Sequence, residues 1–368
     1  MLIDGKVHSE WLQYSIDSDL LTAADAWNVN LARPLDQTLP SGVTPGANVR
    51  VMVGTDVVLV GVVDSIRKRT SKRERGMWLS GRDMAGMLRD SSAPIFTAKQ
   101  ATLMDVINNI VKPFGVTKIT ISSVTSPSTW DKITIDPGTS AWEALVYAAE
   151  GEGLWPWFEP DGTLVIGGPD YTIPPVATLI LREKGTGNNV EFFDVNDSIA
   201  ERYSEVTVLG QAHGRQSEQG KHAMKVTVKD STMTIYRPRV HVDHDAPTLA
   251  AVEARARKIL SDSRMNAFTL FAEVKGHRMD DGTLWKPGQR IHVIWEEEGI
   301  NSVYFLMGRE FRSSRQDGQR TRLTLKEDRM WILDAHPHDG KHRKRAASGP
   351  LSIITTFASG DTSVAATK

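Results

Sequence analysis

Apolar and polar residues alternate with a period of two along much of the first ninety positions. Trp27, Val29 and Leu31 are interleaved with Asn28 and Asn30, and Val49, Val51 and Val53 with Arg50 and Met52. Successive side chains of a strand point to opposite faces, so this pattern predicts a sheet with one face buried. The run from Val57 to Val63, rich in β-branched residues and preceded by Gly54-Thr55-Asp56, predicts a buried strand. It is far shorter than the roughly 20 residues a membrane-spanning helix needs. Trp78 and Leu79 resume a strand after Arg67-Lys68-Arg69-Thr70-Ser71-Lys72-Arg73-Glu74-Arg75, which places this basic run at a solvated hairpin tip. A small barrel over 1–94 fits these elements.

From about 95 to 170 the period changes. Leu103, Val106, Ile107, Ile110 and Val111 make one apolar helical stripe that ends before Pro113. Ser140 and Glu143 form a capping box for a helix through Trp142, Leu145, Val146 and Ala149 to Gly151. The segments 155–159 and 163–166 flank Pro160-Asp161-Gly162 and predict a hairpin, so this region is a compact α+β insert.

Residues 171–334 return to strands around Val206, Val226, Val240, 268–274, 291–295, 303–307 and 320–325, and predict a second β-rich domain with a helix inside it. That helix is expected to be capped by Asp245, begun by Pro247 and lined by Leu249, Val252, Ala256, Ile259 and Leu260, with Arg255, Arg257 and Lys258 near its C-terminus. The polar stretch 210–222 reads as a mobile loop. The final stretch, 335–368, lacks apolar periodicity and is expected to be a flexible tail.

Composition narrows the function. The 368 residues carry 44 Lys plus Arg against 45 Asp plus Glu, a formal charge of -1, which argues against whole-chain affinity for nucleic acid. The absence of Cys removes disulfides, thiolate nucleophiles and Cys-ligated zinc, and fits assembly in a reducing cytoplasm. Charged residues among the first ten argue against a secretory signal.

Motifs for chemistry are few. Gly214 and Gly220-Lys221 miss the spacing of a phosphate-binding loop, and Gly185-Thr186-Gly187 lacks the third glycine of a dinucleotide fingerprint. His336, His338, Asp339 and His342 offer metal-ligand types, against a His-rich tail as the simpler reading; His241 and His244 sit at a strand end. Glu150 with Glu152, and Glu296-Glu297-Glu298, are carboxylate pairs of the kind a glycosidase uses, yet adjacency does not supply the required separation. No cofactor, metal or catalytic residue is expected. The residues expected to touch protein partners are Arg67, Lys68, Arg69, Lys72, Arg73 and Arg75, and Trp285 among the ten tryptophans.

Two stretches in order resemble a known family. Gly61-Val62-Val63-Asp64, then Leu79-Ser80-Gly81-Arg82-Asp83 and Leu88-Arg89-Asp90-Ser91-Ser92-Ala93, resemble the N-terminal barrel of baseplate hub proteins of Mu-like contractile phages. The helix 250–264, Val274-Lys275-Gly276-His277 and Asp281-Gly282-Thr283-Leu284-Trp285-Lys286-Pro287-Gly288-Gln289 are similar to the same family further along. The resemblance implies a mainly β fold with an α+β insert. It further implies two similar β-barrel domains plus small α/β domains, and three chains in a ring with pseudo-sixfold symmetry. The implied role is a non-enzymatic virion protein. As a homotrimer it would join the hexameric tail tube to the trimeric central spike and contact other baseplate proteins, with DNA only passing through its channel and no stable membrane insertion. Alternatives are the hub of a tailocin or secretion spike, the latter expected to carry an attached spike; a baseplate-borne cell-wall hydrolase; or a carbohydrate-binding module using Trp155, Trp157 or Trp285.

Overall fold

The computed structural model describes residues 1–8, 11–34, 43–95, 97–122, 130–211, 223–243 and 249–333. The expected tail, its histidines and all but two residues of the 210–222 stretch lie outside them. The chain opens with β1 (Leu2–Ile3), β2 (Lys6–Val7), β3 (Gln13–Asp19), β4 (Ala26–Pro34), β5 (Asn48–Val53), β6 (Asp56–Thr70) and β7 (Glu74–Asp83). A mixed segment follows: α1 (Met84–Asp90), β8 (Thr97–Ala101), α2 (Leu103–Val106), β9 (Ile119–Ile121), β10 (Trp130–Thr134), α3 (Ala141–Gly151), β11 (Trp155–Phe158) and β12 (Leu164–Gly167). The remainder is β13 (Ala177–Leu181), β14 (Phe192–Asp197), β15 (Glu205–Gln211), β16 (Ala223–Lys229), β17 (Pro238–Asp243), α4 (Leu249–Ala267), β18 (Phe268–Lys275), β19 (Arg290–Trp295), β20 (Ile300–Ser314) and β21 (Gly318–Glu327). The fold is mainly β.

Thirteen strands make one sheet, ordered β14-β18-β21-β20-β3-β4-β7-β6-β5-β1-β2, with β19 and then β13 attached beside β20. One arrangement occurs in it twice. The units β3-β4-β7-β6-β5 and β14-β18-β21-β20-β19 have the same order and are antiparallel throughout. Each is built on a long strand, β6 or β20, that holds the preceding strand along its first half and runs on with the following one. In each, a single extra residue interrupts the ladder to the following strand, Asp64 in β6 and Met307 in β20. The corner entering the preceding strand also repeats. The amide of Gly46 (φ 84) donates to Val63 O at 2.8 Å and that of Val63 to Ala47 O at 3.0 Å; the amide of Gly288 (φ 90) donates to Leu306 O at 2.8 Å and that of Leu306 to Gln289 O at 2.8 Å. A positive φ is open to glycine at little cost, so both corners use Pro-Gly.

The small barrel expected over 1–94 and the second that the resemblance implies do not stand as separate closed sheets among the described residues. β20 extends past β19, and β3 fills the vacated edge from Gly308 opposite Asp19 to Ser313 opposite Tyr14. An unfilled edge leaves backbone donors and acceptors without partners, which is why β3 is drawn there. The two units are thereby one continuous sheet sharing a core in which Trp27, Val29 and Leu79 meet Leu270, Leu306, Phe311 and Leu323. Alternation is kept on both sides of the seam, since Trp27, Val29 and Leu31 are buried as the sequence predicts.

The α+β insert has its own core. Ser140 caps α3 as expected: its Oγ accepts from the Glu143 amide at 3.1 Å and the Glu143 carboxylate accepts from the Ser140 amide at 2.9 Å. Thr102 and Asp105 cap α2 in the same way. The stripe Leu103, Val106, Ile107, Ile110 and Val111 is buried, but the regular helix is shorter than predicted. It widens into a π turn over Ile107–Val111 and tightens to a 3-10 turn over Lys112–Phe114, where Pro113 has no amide to give. The 160–162 turn joins β11 to β12, and parallel β9 extends that hairpin to three strands.

The expected second barrel also divides. β16-β15-β17 form a separate sheet, covered by α4 through Val206, Val208, Val252, Ala256 and Leu260. Leu249, expected on the buried side, is exposed. Because α4 runs on to Ala267, Arg255, Arg257 and Lys258 lie in mid-helix and only Arg264 stands in the last turn. Asp245 and Pro247 fall outside the described residues.

Candidate functional site

The basic run is not a loose tip. Arg67, Lys68 and Arg69 are on β6 and Arg75 on β7, so a paired ribbon carries the charge, and only Ser71–Arg73 make the turn. Ser71 Oγ closes it by accepting from the amides of Arg73 and Glu74. Arg67, Lys68, Arg69, Lys72 and Arg73 are exposed and Arg75 half-buried. None of the six makes an ion pair among the described residues. The ribbon carries one aromatic that its own sequence run does not show: Trp78, directly across from Arg67, lies under the guanidinium at 5.4 Å.

Among the described residues, two of the strand edges with a partner on one side only belong to the five-stranded units and carry opposite charge. β6 is paired with β5 only as far as Val62, so its second half has β7 on one side alone. β14 is paired with β18 alone. Its residues Phe192, Asp194, Asn196 and Asp197 are exposed. An acidic, partly aromatic edge was not singled out by the sequence reading, because one short strand gives little periodicity.

At the seam of the two units lies a buried polar cluster. Arg309 is 4% exposed; its Nη1 donates to Ile16 O at 2.8 Å, and its guanidinium covers the Phe311 ring at 4.0 Å. Burial lowers its pKa to about 10, against the opposing pull of Asp25 and Asp17. Asp25 is pushed up to about 7, first by burial, with Ser18 and the Arg309 charge acting the other way. Burial and then the charge of Asp25 raise Asp83, whose carboxylate caps α1 by accepting from the Ala85 amide at 2.9 Å. His277 is driven down to about 4 by burial and by Arg309. The Thr321 hydroxyl donates to Gly276 O at 2.6 Å, so His277 Nδ1–H must donate to Thr321 Oγ1, leaving Nε2 to accept from Tyr14 at 2.8 Å. Tyr14 belongs to one unit and His277 to the other. Arg278 bridges them again, to Asp56 at 2.5 Å.

A cleft of about 130 Å³ opens beside this cluster. Trp157 and Trp285 line it, and Trp285 is only 5% exposed in the shared core, which corrects the expectation that it touches a partner. Its indole body fills apolar space where the sequence showed only a tryptophan beside a turn. Trp155 Nε1 donates to Leu20 O at 2.7 Å and Trp157 Nε1 to Glu159 at 3.2 Å, so both serve packing between insert and sheet. Gly185 and Gly187 are turn residues with positive φ. The Glu296 carboxylate accepts from the Glu183 amide. No metal-binding cluster occurs among the described residues, nor is any helix there long and apolar enough to cross a membrane.

The raised carboxyl at Asp25 has a measurable sign. A carboxyl lifted in the folded state supports the fold fully below its unfolded pKa near 3.9, and that support is lost as pH rises through about 7. The cleft leaves Asp25 partly open to water, which reduces the effect below that of full burial. Asp25→Asn is expected to flatten the decline in urea stability between pH 4 and 8 by about 1–3 kcal/mol. Equal slopes for both chains would contradict it.

Family models match along the chain in order: a Mu phage baseplate assembly protein GpP-like N-terminal domain at 1–83, a baseplate hub protein gp44-like second domain at 85–168, a tail protein NMB1110-like third domain at 202–260 and a tail protein C-terminal domain at 262–330. The tail protein of Neisseria meningitidis MC58 is 41% identical, with a TM-score of 0.79 over 91% of this chain and 98% of that one. The baseplate hub protein gp44 of Escherichia phage Mu is 25% identical over 352 residues, 93% of this chain and 90% of its own. The 43 kDa tail protein of prophage MuSo2 from Shewanella oneidensis, at 21% identity, has the same fold, with a TM-score of 0.79 over 90% and 98% of the two chains. With two five-stranded units, an α+β insert and matches in this order, the chain belongs to the family of Mu-like baseplate hub proteins, structural components of the phage tail.

Proposed function

We propose that three copies of this hub chain form a ring that joins a sixfold tail tube to a threefold central spike. The observation that carries the reading is the repeated five-stranded unit. Three chains would present six like units to the tube while keeping three of everything else for the spike, so one polypeptide satisfies both symmetries. Each unit would curl into barrel form within the ring. We divide the chain into 1–94, 95–170, 171–334 and the tail 335–368; the matched spans 1–83 and 85–168 support the first two divisions, and 202–260 and 262–330 both fall within the third.

The role is non-enzymatic, exercised in the virion after assembly in the host cytoplasm, with DNA passing through the channel. Light scattering with negative-stain imaging of the purified chain is expected to show rings of three. A compact monomer at high concentration would overturn the ring, and a lytic band on a peptidoglycan zymogram would overturn the non-enzymatic role.

The ribbon residues Arg67, Lys68, Arg69, Lys72, Arg73 and Arg75 act as protein contacts in this reading. Changing Arg67, Lys68 and Arg69 together to Glu is expected to abolish assembly with the melting temperature shifted by no more than a few degrees. Normal assembly of that variant would remove the ribbon from the interface.

A further inference from the structure

Among the described residues the chain contains one filled and one empty copy of the same joint. In the second unit the outer half of β20 is paired by β3, the first strand of the first unit. In the first unit the corresponding half of β6 has no such partner among the described residues, and β14, the counterpart of β3, has a free edge. The bulges align the two long strands: Asp64 with Met307, hence Ile66 with Arg309, Lys68 with Phe311 and Arg69 with Arg312. The ladders to β4 and β18 align the first strands, Tyr14 with Phe193, Ser15 with Asp194 and Ile16 with Val195. Burial agrees, since Ile16 and Val195 both turn toward the core.

We propose that β14 of one chain adds antiparallel to the outer half of β6 of a second copy, in the register of the β3–β20 joint. This rests on the ring reading and names its interface. Transferring Arg312 opposite Ser15 and Phe311 opposite Ile16 sets Arg69 opposite Asp194 and Lys68 opposite Val195. The transferred register therefore sets Arg69 directly across from Asp194, an opposite-charge cross-strand pair, with Arg67 across from Asn196 and Asp197 across from Ile66 on the same edges. Like charges disfavour β6 on β6 and β14 on β14, so an otherwise adhesive pair of edges is protected from itself and open to the other. The contact is head-to-tail, the type that closes into a ring when its rotation allows.

The chain has no cysteine, so an Arg69→Cys, Asp194→Cys double variant carries only the two thiols under test. Facing Cα atoms in an antiparallel ladder lie about 4.5–5.5 Å apart, within reach of a disulfide. Oxidation of this full chain is expected to give reductant-sensitive intermolecular cross-links, and Arg69→Cys with Val195→Cys, which puts one thiol on the opposite face, at least about tenfold fewer. Separately, Arg69→Asp or Asp194→Arg is expected to raise the concentration at which the chain associates by about tenfold or more, and the double reversal to restore it. Rings that form without the cross-link, or a double reversal that does not restore them, overturn the joint and leave the ring reading standing. A chain that stays monomeric at every concentration overturns both.

Discussion

A Gly81→Ala chain is expected to lose about 3 kcal/mol or more of stability and to accumulate poorly as folded protein. At this point β6 and β7 cross so closely that a Cβ on Gly81 would lie 2.0 Å from Val62 O and 2.8 Å from the Trp27 ring. The carbonyl belongs to the ladder and Trp27 is fully buried, so neither has room to retreat. Gly61, whose Cβ would fall 1.9 Å from Arg82 O, marks the other side of the same crossing. Soluble yield and the urea midpoint check the result. Ser80→Ala, one residue away and half-buried, should stay within about 0.5 kcal/mol of the parent chain. Parity between the two variants would refute the close-approach argument.

Phe311→Ala is expected to cost about 3–5 kcal/mol in guanidinium unfolding. Its side chain is fully buried, with Arg309 over one face at 4.0 Å and the His277 ring at 4.6 Å, and its backbone faces Ile16 across the seam. Truncation would open a cavity where both five-stranded units meet and leave the Arg309 charge without its ring. Lys68 holds the same place in the other unit, yet it is exposed, so Lys68→Ala should change monomer stability by no more than about 0.5 kcal/mol. A loss below 1 kcal/mol for Phe311→Ala would mean that the seam contributes little to the fold.

Local features were legible in the sequence because their causes are local. The alternation through Trp27 to Leu31, the Ser140–Glu143 capping box and the stripe from Leu103 to Val111 depend on residues within one or two turns. The seam depends on β3 meeting β20, residues almost 300 positions apart, and no periodicity reports that. Arg309 gave no sign of burial, since an arginine normally reads as surface. Trp285 was misplaced for the converse reason, an aromatic beside a turn that folds inward. The repeat did leave a trace. Pro45-Gly46-Ala47-Asn48-Val49-Arg50-Val51 and Pro287-Gly288-Gln289-Arg290-Ile291-His292-Val293 share Pro-Gly and the same apolar places, and comparing these two stretches would have exposed it. Beyond this, the units have diverged to fit different neighbours, Phe311 for a closed joint and Lys68 for an open one. The basic run at 67–75 was visible as charge, but not as one half of an edge whose other half is acidic.

The extra residue in each long strand also sets a rule of counting. Before it, Tyr304 and Leu306 point into the common core; after it, Arg309 and Phe311 do. The inward positions are even on one side of Met307 and odd on the other. In β6 the same change takes Val63 to Ile66. Away from that extra residue, insertions or deletions within these strands therefore preserve the interior only in pairs. Loss of Asp64 or Met307 itself is the exception: it would join Val63 to Ser65, or Leu306 to Gly308, in plain alternation, keeping every inward side chain in place while straightening the strand.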